Sequence, residues 1–250
     1  MIRDDGRDDG RLLALEVDVI HGLDPDPYEY QGDRHPQTLA KGATALAVWA
    51  WSPRARLLAL ASGIAHPGGV DDGDHQKYTP GEPPAALLRL TASLGDRPVS
   101  VEGGPSYVFP PQLAPPRPVP LPVIVSTAEG RAAARRLVRP DNWQPGEWSE
   151  LIEGRIGEWA MAVHDESPVS ICHTPASNGT AAEAGVWTRP DFRGRRLAPA
   201  VVTAWSRRRR QLRQKDVLFY STTAANHASQ SVARGLGLVP LGWIWTACEA

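Results

Sequence analysis

One stretch constrains this chain more than any other: Glu183 to Ala198, EAGVWTRPDFRGRRLA, followed by an arginine-rich helical pattern. Ala184-Gly185-Val186-Trp187-Thr188 is apolar and β-prone, the composition of a buried strand. Pro190 can donate no ladder hydrogen bond and pushes Arg189 away from helical geometry, so the strand ends there. From Leu197 onward, Leu197, Val201, Trp205 and Leu212 recur near helical spacing, with Arg between them. A strand that runs through a basic loop into a helix aims free backbone N–H groups at whatever sits above the turn. That is an anion site, and phosphate is its usual occupant.

Val186-x-Thr188-x-Pro190-x-Phe192-Arg193-Gly194-Arg195-Arg196-Leu197-Ala198 resembles the acyl-CoA loop of the GNAT N-acetyltransferase superfamily. The family pattern is Arg/Gln-x-x-Gly-x-Gly/Ala, and Arg193 to Ala198 follows it except at Arg196. Helical geometry at that position would accommodate an arginine and keep the backbone N–H. A second match lies downstream: Asn226-x-x-Ser229-x-x-Val232-x-x-x-Leu236-Gly237-Leu238 is similar to the family's Asn-x-x-Ala/Ser helix ending in Leu-Gly-Phe. The resemblance covers roughly residues 123–247.

The resemblance implies an α+β fold for residues 120–250, a mixed twisted sheet with flanking helices. It also implies acyl transfer, acetyl first, from acetyl-CoA or another acyl-CoA to an amine by direct attack on the thioester. A strand bulge would aim the N–H of Val186, Trp187 or Thr188 at the thioester carbonyl. Arg193, Gly194, Arg195, Arg196, Leu197 and Ala198 would cradle the pyrophosphate, with Asn226 and Ser229 toward the pantetheine arm. Glu183, before the bulge on an otherwise apolar strand, is the first candidate for the base, and His173 at the end of the adjacent strand is the second. Many family members carry a proton-donating Tyr where this chain has Ala233; Ser229, Ser231, Tyr220 or water could substitute. A small-molecule amine is the expected acceptor, and a homodimer is compatible with the resemblance. Two other readings stand beside it: an acyl-CoA-binding module without turnover, and a protein- or tRNA-directed acyltransferase.

The formal net charge of −1 argues against general nucleic-acid binding. Arg207-Arg208-Arg209-Arg210 is the one local feature favouring a polyanion, against the simpler reading of cations on a solvated face near a helix C-terminus. Two cysteines, Cys172 and Cys248, make no disulfide framework and lack zinc spacing. No metal site is expected: Asp71-Asp72-Gly73-Asp74-His75 lacks the Glu and the spacing of a calcium loop. No apolar run reaches membrane length, and the start is charged where a signal peptide would be apolar, so a reducing cytoplasm is expected.

Residues 1–119 are expected to form a smaller, helix-rich domain ending in a Pro-rich linker, ahead of a second domain over 120–250. The acidic residues 1–34 suggest either a solvated terminus or a rim attracting a cationic amine. Leu12 to Ile20 could form one short element. His35 to Ala65 looks helical up to Pro53, with Leu39, Ala43, Leu46, Ala47 and Ala50 on one face. Leu57 to Ala61 continues as a helix or buried strand, ended by Gly63 and His66-Pro67-Gly68-Gly69, and Pro83 to Leu94 reads as an amphipathic helix. Short strands are expected at Val99–Val101, Tyr107–Phe109 and Val123–Val125, then helices near Ala128–Val138 and Pro145–Gly154. Glu158–Val163 and Val169–His173 should pair as a hairpin; Val217–Ser221, a helix at Ala224–Arg234 and a closing strand at Gly242–Ala247 follow.

Overall fold

The computed structural model describes residues 8–24, 36–64, 78–95, 97–114 and 117–250. The loop at Asp71 to His75, the punctuation at His66 to Gly69 and part of the acidic N-terminal stretch lie outside the described residues. The chain divides into two compact units: residues 1–107, 221–230 and 240–250 in one, residues 108–220 and 231–239 in the other.

In the first unit, helix α1 (Asp9–His21) precedes strands β1 (Gln37–Thr38), β2 (Ala45–Trp51) and β3 (Arg56–Leu60). Helix α2 (Ala85–Ser93), strand β4 (Val99–Val108) and the C-terminal strand β11 (Val239–Glu249) complete it. Its strand order is β1-β3-β2-β11-β4. The helix expected across His35 to Pro53 is instead the antiparallel hairpin β2–β3, with Trp49 opposite Leu58. The error has a physical source. Nearly every residue of β2 is buried, so no alternation betrays the strand, and its alanines favour helix when read alone. Trp49, Leu60, Leu87, Leu90 and Trp245 form the core here, and the Trp245 indole N–H donates to the Tyr78 hydroxyl at 2.8 Å. The region expected to be helix-rich therefore carries strands beside the two helices of its described residues.

The acidic residues of α1 hold structure. The Asp8 carboxylate caps the helix by accepting from the Arg11 N–H at 3.0 Å, and buried Asp9 pairs with Arg54 at 3.3 Å. Buried Glu16 accepts from the Ser106 hydroxyl. For Asp8, Asp9 and Glu16 these contacts replace both readings of that stretch.

The second unit is built on an antiparallel sheet in the order β5-β6-β7-β9, from β5 (Val123–Val125), β6 (Trp159–His164), β7 (Ser167–His173) and β9 (Gly185–Thr188). One face carries α3 (Ala128–Ala134) and α4 (Pro145–Glu153) over Trp148, Leu151, Trp159, Met161 and Ile171. Each helix start is readable. Thr127 accepts from the Gly130 N–H at 3.1 Å, while Pro145 opens α4 and the Glu147 carboxylate accepts from the Gln144 N–H at 3.1 Å. Helix α5 (Leu197–Leu212) packs against β5, β6, β7 and β9. Strand β8 (Ala181–Glu183) pairs in parallel with β10 (Val217–Ser221), and helix α6 (His227–Gly235) follows β10. Strand β5 and the β6–β7 hairpin fall where the sequence places them.

Candidate active site

The organising stretch is two strands, not one. β8 runs beside β10 with Glu183 opposite Phe219, and the Ala184 N–H still donates to the Phe219 carbonyl at 3.0 Å. From Gly185 the chain is paired only in the β7 ladder, His173 to Gly185 through Ser170 to Thr188, with no shift of register. Within Gly185 to Thr188 the ladder carries no bulge; the pairing shifts by one residue just upstream, where Ser177 bridges Ala182 and the Glu183 N–H donates to the Ala176 carbonyl at 2.9 Å. What opens the strand edge is the parting of β9 from β10 after Ala184.

That parting decides which amides are available. Ala184 N–H points to β10, while Arg189 N–H donates to Val169 O of β7 at 2.9 Å. Alternation along an extended strand turns the N–H groups of Val186 and Thr188 to the edge β10 has left, and that of Trp187 into the β7 ladder. Of the three amides singled out in the sequence, two face the opening.

Beyond Thr188, Pro190–Phe192 forms a single 3-10 turn, and Gly194 takes a positive φ of 74°. Arg196 stands at the N-cap of α5 with φ 61° and ψ 21°. This corrects the expectation of helical geometry there: Arg196 holds the left-handed conformation that the family's glycine adopts without cost. No side chain caps α5, and among the described residues no backbone carbonyl accepts from the N–H groups of Gly194 to Ala198. Five residues thus present an uncapped helix start with its positive dipole end outward. Arg193, Arg195 and Arg196 are all exposed around it.

The titratable candidates differ sharply. Glu183 is buried, 6 % exposed, at the last position of β8. Its charge, after burial itself, contributes to pushing the Cys172 thiol well above its ordinary range, so Cys172 is an inert core thiol. His173 lies opposite Gly185, not opposite Glu183, and its ring packs so closely that a Cβ on residue 185 would lie 2.7 Å from it. Its ring also meets Trp143 edge-on at 5.0 Å. Burial lowers its pKa to about 4. An imidazole that weakly basic accepts an ammonium proton poorly, which counts against His173 as the base.

A cavity of about 410 Å³ opens on the same strand, lined by Val138 to Asn142, Ser167, Pro168, Trp187, Arg189 and Pro190. Its α3–α4 loop wall is tied to the β6–β7 turn through Val138 N–H and Glu166 O at 2.8 Å. Sequence reasoning missed this site because its walls come from three separated segments. Only the Pro residues and Trp187 hinted at rigid apolar surface.

Asn226 and Ser229 belong to residues 221–230, which pack with the first unit. There the Asn226 Oδ1 accepts from the Ser229 N–H at 3.1 Å and caps α6. Ala233, at the family's Tyr position, is fully buried. The arginine run is not a solvated face. Arg209 is buried between Glu158 and Asp216, both at 2.6 Å, and Arg210 donates to the Pro110 and Pro111 carbonyls. Arg208 reaches the Ser126 carbonyl at 3.4 Å.

Comparison with known proteins rests on one decisive match, between residues 121–239 and the model of the acetyltransferase (GNAT) domain. Those residues form a GNAT domain. No curated protein matches the chain. A GCN5-related N-acetyltransferase-like protein from Streptococcus suis is similar at 16% identity, TM-score 0.45, over 66% of this chain and 68% of its own. A GNAT-family acetyltransferase from Novosphingobium aromaticivorans is similar at 18% identity, TM-score 0.44, over 69% and 71% of the two chains. A tandem GNAT protein from the clavulanic acid biosynthesis pathway is similar at 16% identity, TM-score 0.45, over 84% and 81%. The mixed sheet with flanking helices is that of the GNAT fold, and the family is one of acyltransferases. Among the described residues, no helix is long and apolar enough to cross a membrane, and no cluster of His, Cys, Asp or Glu could hold a metal.

Proposed function

We propose that this GNAT domain transfers an acyl group, acetyl first, from acyl-CoA to an amine on a small molecule. The observation that carries the reading is the uncapped start of α5 directly downstream of a strand edge that has lost its neighbour. The residues fit the co-substrate. Gly194 to Ala198 would hold its pyrophosphate through free N–H groups and the helix dipole. The N–H groups of Val186 and Thr188 would accept the charge that develops on the carbonyl oxygen. Bound acyl-CoA supplies the activated thioester.

The cavity beside Trp187 is of the size that takes small molecules, and it supports a small acceptor. Glu183 would take the ammonium proton. It lies four residues from Trp187, about 13 Å along an extended strand, so the acceptor amine would reach back along β9. Ala233 carries no hydroxyl to serve as the family's usual proton donor, and a thiolate leaving group needs little help. The binding-module alternative draws on that same residue. The tRNA-directed alternative loses its support, because Arg208, Arg209 and Arg210 are bonded within the unit.

The test combines calorimetry with acetyl-CoA and thiol release over a panel of small amines. Gly194→Asp sets a carboxylate against the phosphates and should weaken binding at least tenfold, about 1.4 kcal/mol. Glu183→Gln should lower kcat roughly a hundredfold while acetyl-CoA affinity holds. Unchanged affinity in the first variant sinks the phosphate loop. Binding without thiol release from any amine leaves only the module.

A further inference from the structure

Four arginines surround the phosphate loop, and the three besides Arg196, which stands at the helix N-cap, are not equivalent. Arg189 presents both arms of its fork to the Asp191 carboxylate, at 2.8 and 3.0 Å. The Arg193 Nε donates to the Thr188 carbonyl at 3.3 Å. Arg195 makes no hydrogen bond or ion pair among the described residues, yet its side chain is placed. Its guanidinium carbon lies 4.5 Å from the centre of the Phe192 ring, and that of Arg189 lies 4.4 Å from it. His164 lies against the same ring, centroids 5.0 Å apart. Phe192 itself is only 5 % exposed, so the ring is fixed by the core beneath it. A guanidinium stacked on an aromatic face loses side-chain freedom while its N–H edge stays open to a planar or tetrahedral anion.

We infer that Phe192 is a positioning residue that holds the Arg195 guanidinium for the pyrophosphate of acyl-CoA. The inference rests on the acyl-CoA reading above and goes beyond it in separating the arginines. Arg195 is the side-chain ligand, Arg189 is the brace on the other contact of the ring, and Arg193 secures the loop to the end of β9. A stacked arginine meets the phosphate already ordered, whereas an unstacked one must be ordered on binding.

The experiment is calorimetric binding of CoA and of dephospho-CoA, which keeps the pyrophosphate and lacks the ribose 3′-phosphate. The full chain is used as wild type, Arg193→Met, Arg195→Met, Phe192→Leu, the Arg195→Met/Phe192→Leu double variant and Phe192→Tyr. Arg195→Met is expected to weaken both ligands about tenfold, and Arg193→Met distinctly less. Phe192→Leu is expected to weaken them at least threefold, with the double variant no weaker than Arg195→Met alone, because both changes remove one interaction. The salt dependence of affinity should flatten alike in Arg195→Met and Phe192→Leu, a change that a merely structural loss would not produce. Phe192→Tyr restores affinity if the ring face is what matters. Additive effects of the two substitutions, or unchanged affinity in Phe192→Leu, would overturn the positioning role. Loss confined to CoA and absent with dephospho-CoA would overturn the pyrophosphate assignment. Wild-type protein that binds neither ligand overturns the acyl-CoA reading itself and this inference with it.

Discussion

The two ends of α5 carry nearly the same sequence, Arg193-Gly194-Arg195-Arg196 before it and Arg207-Arg208-Arg209-Arg210 in its last turns, and they have opposite fates. At the N-terminal end the arginines are exposed, the helix is uncapped, and the backbone N–H groups lack backbone acceptors. At the C-terminal end Arg209 is 3 % exposed and holds two carboxylates, and Arg210 holds two carbonyls. Arginine density is high at both ends, so density alone says nothing about ligand binding. What separates the ends is whether partners exist within the unit. Glu158 just before β6 and Asp216 before β10 supply them at one end, whereas among the described residues no carboxylate pairs with Arg193, Arg195 or Arg196 at the other.

The largest expected effect breaks the engaged end. Arg209→Ala strands Glu158 and Asp216 as buried carboxylates and also unsettles Trp205, whose indole N–H donates to Thr174 at 3.0 Å beside the Glu158 carbonyl. Removing one partner of a buried ion pair typically costs about 3–5 kcal/mol. Urea denaturation should show a loss of that order, and acyl-CoA affinity of the remaining folded protein should be unchanged. Stability near wild type with affinity reduced would reverse the comparison and return the arginine run to function. Loss of activity alone in such variants cannot argue for an RNA acceptor.

A smaller effect is expected at the start of α6, the capped counterpart of α5. Asn226→Ala removes the acceptor of the Ser229 N–H and should lower stability by about 1 kcal/mol, read as a fall in melting temperature. If Asn226 also holds the pantetheine arm, the KM for acyl-CoA rises in the same variant. A normal KM with the stability loss leaves Asn226 a structural cap only.

Much of the second unit was legible because its signals are local. The turn at Asp165 and Glu166, the capping pair Gln144 and Glu147, and Pro190 after β9 each fix a boundary within a few residues. The turn from Pro190 into α5 was legible for the same reason. The first unit was not: β2 is buried on both faces, and of its two partners in the sheet only β3 is near in sequence, β11 lying almost two hundred residues away. The commitment of the C-terminal arginines was equally hidden, since Arg209 meets Glu158 across 51 residues. Nor could the sequence show that His173 stands over Gly185, because a two-residue offset in register changes which side chain it meets.

The smallest effect sharpens the free end, at Arg196. Its left-handed backbone, φ 61°, costs a residue with a Cβ about 1 kcal/mol. Arg196→Gly relieves that strain and at the same time gives the unfolded chain more freedom, a loss of about 0.5–1 kcal/mol. The two terms nearly cancel, so thermal unfolding should shift by no more than about 0.5 kcal/mol in either direction. Binding separates the remaining possibilities. If residue 196 serves acyl-CoA through its backbone N–H, Arg196→Gly keeps that donor and calorimetric affinity stays within about twofold, under 0.5 kcal/mol. A tenfold loss would mean that the Arg196 guanidinium is itself a phosphate ligand. In that case the departure from the family's glycine would be a replacement of backbone approach by a charged side chain, sustained against the strain it imposes.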